Sequence, residues 1–258
     1  MRLVDGAAAI QGDLPASSTH EVDVPVEAGD AQDTGIHRFS SLQMVRERQG
    51  AVLRTAPDWA LTIGGDCGVS LASVEHASRE HPGDVALVWF GARPELHTPD
   101  TSPSGGFCGM VLRAIAGEGH PSIALDESTR IPFDRIVLAG TREVDTAEAD
   151  LIAERSLTTV DVDQLATADA LVAAIRDTGA GSVYVHVGLD VLDPAALRGL
   201  SDLVPFGVTV PALTTAITAI RAAFPVVGAS IVGFSPASPA EATDDLPSIL
   251  RVIGALTR

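Results

Sequence analysis

The sequence predicts one doubly wound α/β domain built on a mainly parallel sheet. Three observations carry that reading. Short β-branched apolar runs that end in Gly or Asp alternate with longer Ala/Leu/Arg stretches along most of the chain. The short runs are continuous rather than alternating, as expected when helices cover both faces of a sheet. No linker, repeat or low-complexity tract divides the 258 residues, a length that suits one large domain over 1–258.

The elements follow in order. Residues 1–35 read as an irregular N-terminal segment, because 11–35 are rich in Gly, Pro, Ser, Asp and Glu and hold at most one short strand. Strands are expected at Ala60–Ile63, Val85–Phe90, Arg135–Ala139, Val183–Val187 and Ala229–Val232. Helices are expected at about 39–55, 68–80, 109–117, 145–155, 163–178, 211–223 and 245–257. Leu165, Ala168, Leu171, Val172 and Ile175 show the spacing of three and four that puts apolar side chains on one helical face. Glu241, Asp244 and Asp245 read as a solvated acidic first turn of the last helix, favourable to its dipole.

Composition excludes several classes of function. Hydrophobic residues make up 46% and charged residues 20%, which is a globular composition. The net charge of −17 argues against a nucleic-acid partner. Val85–Phe90 is the longest apolar run, far short of the roughly 20 residues of a membrane helix, so no membrane association is expected. The first ten residues lack a signal-peptide pattern, and the two cysteines, Cys67 and Cys108, form no disulfide framework. A cytoplasmic location is therefore expected. There is no lysine and no asparagine, which removes Walker A, Schiff-base and pyridoxal-phosphate chemistry.

In doubly wound folds ligands bind beyond the carboxyl ends of the strands. Four polar or Gly-rich segments should meet there: Gly64–Cys67, Gly91–Glu95, Gly188–Pro194 and Gly233–Pro236. The loop Thr101–Gly109 should join them. Its stretch Thr101–Gly106, which includes Ser104 and Gly106, suits a small carboxylate or phosphate held by backbone N–H groups. Asp193 reads chiefly as the holder of a turn before Pro194.

These segments resemble the arginase/agmatinase (ureohydrolase) family. The likeness runs through Ile63–Ala77 (IGGDCGVSLASVEHA), Val88–Met110 (VWFGARPELHTPDTSPSGGFCGM), Tyr184–Pro194 (YVHVGLDVLDP), Phe206–Val210 (FGVTV) and Val227–Pro239 (VGASIVGFSPASP). It implies a three-layer α/β/α fold. In active members two Mn²⁺ ions share a hydroxide that attacks a guanidinium carbon. Aligned on the family's motifs, the six ligand positions are Cys67, Gly91, Arg93, Glu95, Gly188 and Asp190. Asp190 alone keeps its identity, and Glu95 is a lengthened Asp. The same alignment puts Gly106 where the family has a substrate-contacting Asn, Cys108 where it has a proton-shuttling His, and Gly233 where it has the guanidinium-clamping Glu.

The resemblance therefore implies the fold but not the two Mn²⁺ ions, and no cofactor is expected. Arg93 is expected to pair with Asp190 or Glu95 and take over the charge balance of the lost cations, so that Arg93→Ala would cost a few kcal/mol. A single Zn²⁺ on Cys67, Glu95 and Asp190 suits the donor types, but Arg93 argues against it. The function expected is metal-independent binding or conversion of a small amino-acid-like or guanidino-like molecule. Glu95, Asp190 and Cys108 are then the candidate catalytic groups, and Cys67, Arg93, Ser104, Gly106, Asp193 and Ser235 are candidate contacts. The alternatives are a non-catalytic subunit that regulates or stabilises an active relative, and a genuine metal-dependent ureohydrolase. A homo-oligomer is expected, or a hetero-oligomer with an active homologue. Cys67 and Cys108 read chiefly as buried, inert side chains, and His186 as a satisfied core histidine.

Overall fold

A computed structural model describes residues 2–55 and 59–257. Six parallel strands form one sheet in the order β1-β6-β5-β2-β3-β4. They are β1 (Leu61–Ile63), β2 (Val85–Phe90), β3 (Ile136–Ala139), β4 (Thr158–Val160), β5 (Ser182–Gly188) and β6 (Val226–Val232). The helices are α1 (Arg2–Gln11), α2 (Phe39–Leu53), α3 (Ser70–Glu80), α4 (Val111–Ile115), α5 (Thr146–Arg155), α6 (Asp169–Asp177), α7 (Val210–Ala223) and α8 (Pro239–Thr257).

The period of two along each strand divides the core into two layers. Ala86, Val88 and Phe90 of β2, with Val183, Val185 and Val187 of β5, pack under Leu171, Ile175, Leu213, Ile217, Ile249 and Val252 of α6, α7 and α8. Leu87 and Trp89 of β2, with Leu138 and Tyr184, pack under Phe39, Leu71, Val74, Leu112 and Leu151 of α2–α5. The result is the three-layer α/β/α arrangement. Each large side chain so buried removes apolar surface worth about 2–3 kcal/mol from water.

The strand order puts the topological switch between β2 and β5, which are paired along their length from Val85↔Ser182 to Phe90↔Val187. From β2 the chain moves outward to β3, and from β5 it moves the other way to β6. The two connections part at the carboxyl ends and leave the crevice in which such folds place ligands.

Four local expectations need correction. The N-terminal segment is not irregular throughout, since 2–11 form α1. Its Ile10 enters the core, and Gly6 lies so close to Phe234 O that a Cβ there would stand 2.1 Å from it. The edge strand β4 was not foreseen. The last helix starts at Pro239, six residues early, because a Pro in the first turn forfeits no intrahelical bond. Asp245 is buried rather than solvated and accepts the Gly199 N–H at 2.7 Å, tying that loop to α8. Among the described residues no helix is long and apolar enough to cross a membrane.

Candidate functional site

The loops after β1, β2 and β5 meet at the switch point. After β1, Asp66 caps a short turn by accepting the Gly68 N–H at 2.8 Å, and this fixes Cys67 beside the sheet. After β2, Glu95 takes a left-handed backbone conformation (φ 56°) that carries its side chain back into the protein. A non-glycine residue there is strained, and such strain gathers at functional sites. Cys67 Sγ donates to Glu95 Oε1 at 2.7 Å, and both residues are buried.

His186 comes from the body of β5 and is wholly buried. Its ring stacks on Trp89 with centroids 3.5 Å apart and planes 11° from parallel. Nδ1 lies 2.9 Å from Ser70 Oγ and 3.0 Å from Ser230 Oγ, and the two hydroxyls are themselves 2.9 Å apart. Among the described residues Nε2 has no hydrogen-bond partner, and neither does Glu95 Oε2. The ligating atoms of Cys67, Glu95 and His186 all lie within 4.8 Å of one another.

Burial governs the electrostatics. It lowers the His186 imidazole to about 3, so the ring is neutral. It raises Glu95 well above the ordinary carboxylate range, helped by the adjacent Cys108 and Asp190. It raises Asp190 to about 6 against the pull of the Ala92 N–H, Arg142 and Arg93. The Cys67 thiol is pushed up by a hydrogen bond with the Cys108 thiol, by burial and by Glu95.

Arg93 does not make the expected pairing. Its guanidinium turns outward, donating to Asp202 at 2.7 Å and Glu143 at 3.2 Å, and its side chain is 40% exposed. Two acidic loops outcompete the buried pair because an exposed ion pair avoids the desolvation that burying a guanidinium costs. The electrostatic objection to an ion among the buried donors therefore falls away. Ion pairs this exposed contribute about 0–1 kcal/mol. Arg93→Ala should thus shift the denaturant midpoint by less than about 1 kcal/mol, not by the few kcal/mol that a buried pair would cost.

The cation that organises the site is Arg142, which sequence reasoning missed. Its Nη2 donates to Asp190 O at 2.8 Å and Val204 O at 2.7 Å, and its Nε donates to Pro205 O at 2.9 Å. It thereby staples the loop after β5 to the 204–205 loop. Carbonyl partners leave no signature in a sequence, so only the fold exposes this role.

Two of the positions that lost their ligands, Gly188 and Gly91, are now tightly surrounded. A Cβ on Gly188 would stand 2.7 Å from Asp190 Oδ1, 3.2 Å from Phe90 O and 3.6 Å from His186 Nε2. A Cβ on Gly91 would meet Arg93 O at 3.2 Å. Gly233 has φ 91°, which side chains rarely adopt, and both its backbone groups are bonded to neighbouring loops, to Gly65 and Ser201.

The remaining candidates are placed as follows. Cys108 is exposed, contrary to the expectation of burial, but adjoins Cys67 and Glu95. Ser104 is exposed and accepts the Gly106 N–H at 3.1 Å. Asp193 accepts the N–H groups of Ala195 and Gly207 at 2.9 and 3.1 Å, which hold its turn. Ser235 is partly buried and donates its N–H to Gly199 O at 2.7 Å. Thus Cys67, Glu95, Cys108 and Asp190 come together, whereas Ser104 and Asp193 serve their own loops. A second cluster, His97 with Asp145 at 3.1 Å and Glu148 at 3.7 Å, sits at the start of α5, where the two acids form a capping box.

Comparison with known proteins agrees with this architecture. The model of the Arginase family matches residues 7–249. The arginase of Staphylococcus aureus strain MRSA252 is 26% identical over 208 residues, spanning 77% of this chain and 67% of that protein. An N(omega)-hydroxy-L-arginine amidinohydrolase of Streptomyces lavendulae is 30% identical over 138 residues, covering 52% and 46%. The arginase structure from Bacillus subtilis superposes with a TM-score of 0.82 at 20% identity, over 99% of this chain and 91% of that one.

Proposed function

Starting from the premise that the chain belongs to the arginase family, we propose that it does not hydrolyse guanidino compounds with a manganese pair and that its strand-end site holds a small molecule without that chemistry. The carrying observation is the state of Gly188 and Gly91. Neither offers a ligand atom, and a Cβ at 188 would stand 2.7 Å from Asp190 Oδ1 and 3.2 Å from the Phe90 carbonyl oxygen. Two hard divalent ions need oxygen and nitrogen donors on all sides. Of the six corresponding positions only Glu95 and Asp190 supply a carboxylate, Cys67 supplies a thiol, and Arg93 supplies a cation that ends 2.7 Å from Asp202. These residues do not fit a two-manganese centre, and no hydrolytic step through one follows.

Small amino-acid-like or guanidino-like molecules remain the best ligand class. Asp202 and Glu143 are paired with Arg93, so a ligand's cation would compete with Arg93 for the two acids and its carboxylate would compete with them for the Arg93 fork. The test is direct. After incubation with excess Mn²⁺, elemental analysis should find fewer than two equivalents bound, with no urea released from arginine or agmatine. Two tightly held equivalents together with urea release would overturn the reading.

A second reading, a subunit that supports an active relative, is favoured by one feature. Leu203 and Phe206 stand 63% and 84% exposed on the loop that Arg142 anchors. Large apolar side chains displayed together beside a site suit coverage by another chain. Co-purification with a metal-bearing arginase, abolished by Phe206→Asp, would favour this reading over the first.

A further inference from the structure

We propose that Cys67, Glu95 and His186 are the donors of a site for one borderline-soft divalent ion, Zn²⁺ by chemical class, in place of the two hard ions of the family's active members. Among the described residues two buried polar atoms of this cluster have nothing to bond. Glu95 Oε2 and His186 Nε2 are unpartnered, although their residues are 92% or more buried, with exposures of 8% and 0%. Such atoms cost about 1–3 kcal/mol each when left unsatisfied. One ion between them satisfies both.

Geometry supports the same conclusion. A tetrahedral shell with bonds of about 2.0–2.3 Å sets its donors roughly 3.5 Å apart. The three ligand atoms already lie within 4.8 Å of one another, and Cys67 Sγ and Glu95 Oε1 are at 2.7 Å. The three come from three separate elements, so the cluster is a tertiary construction and not a local turn.

The surroundings match what a ligating imidazole needs. In the tautomer protonated on Nδ1, that N–H donates to the Ser70–Ser230 hydroxyl pair and leaves the Nε2 lone pair free. An outer hydrogen bond of this kind fixes tautomer and ring orientation in metal sites. Trp89 holds the ring from its face. Position 188 borders this nitrogen, since a Cβ there would lie 3.6 Å from Nε2, in ordinary contact. His186 thus supplies, from one step deeper on the same strand face, a donor that Gly188 no longer can. The left-handed backbone of Glu95 directs the second donor inward.

Donor chemistry chooses the ion. Thiolate, imidazole and carboxylate together suit zinc, whereas manganese and magnesium prefer all-oxygen or oxygen-rich shells. Binding releases the Cys67 proton and the proton that burial favours on Glu95, and the thiolate and carboxylate so formed balance the 2+ ion. Arg93 no longer opposes this, because it is held by Asp202 and Glu143.

The test uses the reduced, chelator-stripped full-length protein and Co²⁺ as a spectroscopic substitute for zinc. One equivalent of Co²⁺ should produce a thiolate-to-metal charge-transfer band, which one equivalent of Zn²⁺ then displaces. Cys67→Ser should abolish the band and weaken Zn²⁺ binding by about a hundredfold or more. His186→Gln should weaken it similarly. If that variant does not fold, the Cys67→Ser result decides alone. Cys108→Ser should retain the band. Absence of the band in the parent protein, or its loss in Cys108→Ser with retention in Cys67→Ser, would overturn the assignment. The failures are separable: two bound Mn²⁺ with urea release would defeat the proposed function, whereas failure to bind Co²⁺ would defeat only the zinc site.

Discussion

Arg142→Ala is expected to lower the unfolding free energy by about 3 kcal/mol, the value implied when a charged donor to several main-chain carbonyls, most of them part-buried, is removed. The guanidinium reaches the carbonyls of Pro205, Asp190 and Val204 at 2.7–2.9 Å and those of Gly140 and Val191 at 3.1 and 3.3 Å. Truncation leaves these acceptors to whatever water can enter. It also cuts the tie between the end of β5 and the 204–205 loop. For a chain of this size the loss should appear as a fall of roughly 6–12 °C in Tm. Arg142→Lys should recover less than half, because an ammonium carries three donors on one atom and cannot span carbonyls on both loops. A loss below about 1 kcal/mol for Arg142→Ala would mean that the loops are held by other contacts. The contrast with Arg93 is the informative part. Two arginines of the same site are expected to differ severalfold in effect, because one bridges main-chain carbonyls of several loops and the other pairs with two half-exposed carboxylates.

That contrast also marks how far the sequence is legible. Val85–Phe90 is found with its true ends, since a fully buried parallel strand leaves a continuous apolar run bounded by Asp84 and Gly91. The three-residue edge strand Thr158–Val160 leaves no such mark, with two of its residues exposed. The helix Arg2–Gln11 buries only Gly6 and Ile10, too few positions to show a period, and it depends on a close approach to Phe234 O that no local pattern encodes. At the site, the sequence identifies which positions no longer bear a ligand, because motif and residue type stand side by side. It does not identify partners. Asp202 lies 109 residues from Arg93 and Glu143 lies 50, so the choice of those two over Asp190 and Glu95 is decided by loop geometry. His186 was legible as buried, and its Nδ1 is indeed satisfied. Its free Nε2 is not visible until the space beside Gly188 is seen.

Restoring a lost carboxylate gives the second large effect. Gly188→Asp is expected to destabilise the protein by about 4 kcal/mol or more, and added Mn²⁺ should not restore the loss. The backbone at 188 is ordinary, with φ −73° and ψ 117°, so conformational strain is not the cause. The first contribution is steric. A Cβ would stand 2.7 Å from Asp190 Oδ1, which can swing aside, and 3.2 Å from Phe90 O, which is main chain and cannot. Gly188→Ala isolates this contribution and should cost about 1–2 kcal/mol. The second contribution is electrostatic. A new carboxyl would enter beside Glu95 and Asp190, both already pushed above the ordinary carboxylate range chiefly by burial. It would find no free cation to pair with, since Arg93 is committed to Asp202 and Glu143 and Arg142 to main-chain carbonyls. Denaturant unfolding of the two variants, each with chelator and then with Mn²⁺, separates the contributions. If Gly188→Asp matched Gly188→Ala, or if Mn²⁺ returned it to the parent's stability, the former two-ion site would still be intact. In that event the packing of Asp190 and Phe90 around Gly188 would be incidental to the loss of the manganese pair.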